Sequence, residues 1–136
     1  MFVELDLQSD VPIYKQLADQ LIEGIASGAL TPGQPLPSVR MLAADLDINL
    51  HTVNKAYQML KQDGFLEIHR KKGVIVQPGT LPRADEAFRE RLRRDLRPLA
   101  AETVARGMGE DELLELLRSL YRSIQNPPTD KGGTSP

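Results

Sequence analysis

Cysteine is absent from the 136 residues. Without it there is no disulfide framework and no thiolate metal site. No apolar run reaches the length of a membrane span. The opening MFVELDLQSD lacks the basic stretch and apolar core of a secretory signal, so the expected location is cytoplasmic, away from membranes. An excess of positive charge is also missing. Seventeen Lys and Arg stand against 19 Asp and Glu, a formal net charge of -2. A domain that coats nucleic acid is usually basic overall, so this balance argues mildly against such a partner. Affinity, however, depends on where cations sit and not on their sum. From Glu67 to Gly73 the chain places Arg70, Lys71 and Lys72 against one acid. The expectation is a local basic face on an acidic particle. A hydrophobic content of 40% and a charged content of 26% suit a small packed domain with an appended helical piece.

Periodicity and punctuation organise the chain. Met1 to Gln8 alternates like a short extended arm. Ile13, Leu17, Leu21 and Ile25 then recur at i+4, with Asp10 expected as the cap, Pro12 in the first turn and Gly28 as the stop. The proline-rich stretch Leu30 to Pro37 reads as a constrained loop with a short strand at Gln34 to Leu36. Ser38 is placed to cap a helix from Val39 to about Leu46, and Asn49 to cap another from Leu50 to about Gln62. The second buries Val53, Ala56, Tyr57 and Leu60 and shows His51, Asn54, Lys55 and Gln58 on its opposite face. Phe65 to Ile68 and Val74 to Gln77 read as two strands joined at Arg70 to Gly73. Two helices, a tight turn between them and a cation-tipped hairpin, in that order, are the parts of a winged helix-turn-helix.

Beyond the linker from Pro78 to Pro82 the composition changes. Arginines interleave with acids at helical spacing, beside an apolar stripe of Phe88, Leu92, Leu96 and Leu99. Pro98 is expected to kink or interrupt this helix. Gly107 and Gly109 mark a turn. A last helix presents Leu113, Leu116, Leu117, Leu120, Tyr121 and Ile124 on a wide apolar face, which must be buried against something. A second copy is the economical answer, because the small winged domain already has its own core; the alternative is a monomer whose tail folds back on its body. The fold class is thus α+β: a winged helix-turn-helix over 1–78, a short C-terminal two-helix dimerisation module over 79–125, and a disordered tail over 126–136.

The strings PIYKQL, LPSVR, HTVNKAY, QDGFL and KKGVIV, in this order and spacing, resemble the GntR-type bacterial transcription regulators. Pro12-Ile13-Tyr14, the run from Thr52 to Tyr57 and the short C-terminal part resemble the YtrA subfamily. The resemblance covers Leu5 to Val76 in detail and the helical tail in length and pattern. It implies a dimeric DNA-binding regulator, a repressor of a transporter-type operon, that occupies an inverted repeat in double-stranded DNA. It implies that Ser38 and Arg40 of the LPSxR motif contact DNA at the start of their helix; the residues alone also allow an ion pair of Arg40 with Asp45 or Asp47. It implies that Asn49, Leu50, His51, Thr52, Asn54 and Lys55 approach the groove, and that Arg70, Lys71, Lys72 and Gly73 reach the backbone or minor groove. Many relatives carry arginine where this chain has Leu50 and Asn54. Leucine cannot hydrogen-bond guanine, whereas asparagine can pair with adenine N6 and N7, so a shifted base preference is expected.

Other function classes fit less well. A winged helix that binds protein and not DNA is favoured by the acidic balance and by Leu50, and opposed by Arg40 and the wing cations. An enzyme is the poorest reading: the chain has no nucleophile–base pair and no phosphate-cradling glycine loop. His51 and His69, without cysteine or a third histidine, make no metal set. No cofactor is expected. Larger GntR relatives carry C-terminal ligand domains for which this tail is too short, and no effector is assigned.

Overall fold

The computed structural model describes residues 3–127, and the chain divides into two compact units, Met1–Pro82 and Arg83–Pro136. The first unit therefore includes the linker. The expected tail lies outside the described residues from 128 onward, as do Met1 and Phe2 of the arm.

In the first unit, helix α1 (Ile13–Ser27) buries Leu17, Ala18, Leu21 and Ile25, one stripe at helical period. It ends at Gly28, whose φ of 86° is the left-handed stop that glycine adopts without strain. Its start differs from expectation. Pro12, not Asp10, is the cap residue, and no side chain caps the helix. The Pro12 carbonyl accepts from the Lys15 and Gln16 N–H groups, both at 3.1 Å. Asp10 lies two residues too early to reach them. The arm is held by two glutamines of α1. The Gln16 amide bonds both backbone groups of Asp6, at 2.8 and 2.9 Å, and the Gln20 amide does the same for Glu4.

Helix α2 (Val39–Leu46) starts where the Ser38 hydroxyl accepts from the Met41 N–H at 3.1 Å. Asp47, at φ 56°, turns the chain, and the Asn49 side chain accepts from the His51 N–H at 2.7 Å to open α3 (Leu50–Asp63). Strands β1 (Leu66–His69) and β2 (Gly73–Val76) pair antiparallel, from Leu66↔Val76 to His69↔Gly73. Both are displaced by one residue from expectation. The Phe65 N–H turns back to the Leu60 carbonyl at 2.8 Å and closes α3 instead of opening a strand. Gly73, at φ 74°, joins the ladder, leaving Arg70, Lys71 and Lys72 as a three-residue loop. The strand expected at Gln34 to Leu36 is reduced to one bridge, Pro35↔Ile75, flanked by Leu36 N–H to Val74 O and Val76 N–H to Gln34 O. Proline lacks a donor and is confined to such an edge. The core gathers Leu17, Leu21, Val53, Tyr57, Leu60, Leu66 and Val76, all fully buried.

The second unit is two helices. Helix α4 (Glu86–Ala105) is capped by Asp85, which accepts from the Phe88 N–H at 2.8 Å. Pro98 does not interrupt it; the helix continues as one element. The residues around Pro98 are exposed, so water can serve the carbonyl that proline leaves unpaired. Helix α5 (Glu110–Gln125) follows Gly107, at φ 81°, and carries Glu110, Asp111 and Glu112 in its first turn, where the helix dipole favours acids. Neither helix buries a single residue.

Candidate nucleic-acid interface

A groove-reading helix needs exposed polar side chains on one face and a rigid core contact on the other. Helix α3 has both. Val53, Ala56, Tyr57 and Leu60 fix it to the core, and the Tyr57 hydroxyl donates to the Pro37 carbonyl at 2.7 Å. Burial raises the Tyr57 phenol above its ordinary range. This bond ties α3 to the residue before Ser38, and hence to the start of α2. Opposite the core face, His51, Asn54 and Lys55 are exposed.

The expected site residues fall into five groups. His51, Asn54 and Lys55 share the open face of α3. Leu50 and Thr52 are half-buried, and Leu50 packs against the core. The side-chain oxygens of Ser38 and Asn49 are engaged in helix caps, which leaves their helices' first N–H groups as the polar surface there. Arg40 is exposed in the first turn of α2 and, among the described residues, forms no ion pair, with Asp45 and Asp47 included. Arg70, Lys71 and Lys72 are exposed at the hairpin tip and, among the described residues, form no ion pair, with Gly73 closing their loop. The single acid of the wing, Glu67, is engaged by the His69 ring at 2.7 Å.

Two further residues join this surface beyond the sequence-predicted set. Gln58 shares the exposed face of α3; its spacing of seven from His51 was the available signal. Tyr14 lies under Lys55, with the ammonium 4.0 Å from the ring centroid. That contact spans two helices and has no local signature. Among the described residues no group of three or more His, Asp or Glu could hold a metal, and no helix is long and apolar enough to cross a membrane.

The second unit leaves apolar side chains open. Phe88, Leu92, Leu116, Leu117, Leu120 and Tyr121 are each more than a third exposed, while Leu113 and Ile124 are half-buried. Two helices that bury nothing have no core of their own.

Residues 13–76 match the gntR family of bacterial regulatory proteins. The chain is similar to the HTH-type transcriptional repressor YtrA of Bacillus subtilis, 28% identical over 90% of this chain and 95% of that one. Among solved structures it resembles YtrA from Sulfolobus acidocaldarius, a GntR-family transcription factor, with TM-score 0.55 and 38% identity over 91% of this chain and all of that one. It also resembles the AraR DNA-binding domain in complex with its operator ORX1, with TM-score 0.50 and 25% identity over 56% of this chain and 98% of that one.

Proposed function

The chain belongs to the GntR family of bacterial regulatory proteins, in its YtrA subfamily, and on that premise we propose that it is a dimeric, sequence-specific DNA-binding repressor of the cytoplasm. Its family and relatives are transcriptional regulators, not enzymes. The observation that carries the reading is the open face of α3 together with the exposed wing cations Arg70, Lys71 and Lys72, which form no ion pair among the described residues. Three adjacent cations at a hairpin tip contribute little to folding and suit a phosphate backbone. The operator complex of the AraR domain supports the same partner.

In this reading α3 lies in the major groove. Arg40 and the free N–H groups at the starts of α2 and α3 hold phosphates. Asn54 takes adenine N6 and N7 in place of the guanine that an arginine would read. A second copy covers α4 and α5 through Phe88, Leu92, Leu113, Leu116, Leu117, Leu120, Tyr121 and Ile124. An isologous pair carries two recognition helices related by a twofold, which matches an inverted repeat. Occupying such a site blocks a promoter, and the subfamily resemblance extends this to a transporter-type operon. Footprinting the purified chain on genomic fragments tests the proposal. Protection of a palindrome over a promoter is expected; no protected fragment at low salt contradicts it.

A further inference from the structure

Gln58 completes a row on α3. With His51, Asn54 and Lys55 it follows i, i+3, i+4 and i+7, and all four residues are exposed. A helix lying in the major groove reaches base edges with residues at that spacing. The four are not equivalent. The Lys55 ammonium rests 4.0 Å from the centre of the Tyr14 ring, drawn towards α1 and away from its neighbours on the row. Helix α3 contains no arginine, so it has no planar fork for guanine O6 and N7. Asn49 is held in its cap. The amides left for base edges are Asn54 and Gln58, one turn apart. At 1.5 Å rise per residue they stand about 6 Å apart along the axis, close to two base-pair steps of about 3.4 Å.

Resting on the DNA-binding reading above, we infer that Gln58 is a second base-reading residue beside Asn54, each taking an adenine edge, and that Tyr14 is a positioning residue that keeps Lys55 on the flanking phosphates. Each half-site then holds two A·T pairs about two steps apart, and no guanine is read by α3. Both amides form two hydrogen bonds to adenine, a donor to N7 and an acceptor from N6, which no other base edge in the major groove matches.

Selection of the full chain on a random duplex library, followed by sequencing, tests this. The wild-type motif is expected to hold two A·T preferences per half-site. Gln58→Ala flattens one of them, by about 5- to 150-fold in relative affinity, and leaves the Asn54 position intact. Lys55→Ala keeps the motif and weakens every sequence alike. Tyr14→Leu releases Lys55 and adds a guanine preference. Tyr14→Phe, which keeps the ring, retains the wild-type motif, as does the double variant Tyr14→Leu/Lys55→Ala. An unchanged motif in Gln58→Ala overturns the role of Gln58 while DNA binding stands. An unchanged motif in Tyr14→Leu, or a lost base preference in Lys55→Ala, overturns the role of Tyr14. A wild-type protein that selects no motif overturns the DNA-binding reading, and this inference with it.

Discussion

Single residues divide into those that hold the recognition surface and those that read with it. Tyr57 holds it: its hydroxyl, buried against α2's entry, donates to Pro37 at 2.7 Å. Tyr57→Phe is expected to lower unfolding free energy by about 1 kcal/mol in urea titration at neutral pH, the usual net worth of such a bond. The phenol's folded pKa is raised. Stability tied to the protonated phenol is therefore full below the unfolded pKa of about 10 and falls as pH rises beyond it. The wild type should lose stability more steeply above about pH 10 than Tyr57→Phe does; parallel losses would remove Tyr57 from the account. Asn54 reads. Asn54→Ala should leave stability unchanged and reduce discrimination at one base pair by about 1–3 kcal/mol, measured by competition between operator variants. A uniform loss across all variants would make Asn54 a backbone contact instead.

Elements differ in how much of their geometry is encoded locally. The ends of α2 and α3 were legible because capping is local. Ser38 and Asn49 each sit one residue before their helix, and Gly64 ends α3 at φ 94°. Asp10 misled because a good cap residue can stand upstream of a proline that starts the helix by its own fixed φ. The strand limits slipped because they depend on pairing: His69↔Gly73 is a contact between strands. The same holds for the site. The face of His51, Asn54 and Lys55 follows from helical period, whereas the Tyr14 ring under Lys55 belongs to packing between α1 and α3. At this scale the wing is testable as a unit. Replacing Lys71 and Lys72 together with alanine should weaken specific and non-specific duplexes by the same factor in fluorescence anisotropy, because phosphate contacts carry no sequence information. A loss confined to the operator would place these lysines on bases.

The whole molecule pairs a unit with a complete core and a unit with none. Met1–Pro82 buries its own apolar set, while α4 and α5 expose Leu92, Leu96, Leu116, Leu117 and Leu120. Such a stripe is stable in water when another apolar face covers it. Leu117→Glu/Leu120→Glu should shift the protein from dimer to monomer in analytical ultracentrifugation. The far-UV spectrum of the winged unit should be kept, and affinity for an inverted repeat should drop towards that for a half-site. A wild-type chain that sediments as a monomer would sink the dimer.

The central claim is that an acidic chain presents a cationic, groove-reading surface to DNA. The salt dependence of operator binding by the full chain tests it most directly. Each neutralised phosphate adds about -0.9 to the slope of log affinity against log salt. With Arg40, Lys55, Arg70, Lys71 and Lys72 engaged in both copies, the slope is expected to be about -9. A slope near zero, with affinity unchanged between about 50 and 200 mM salt, would contradict the account.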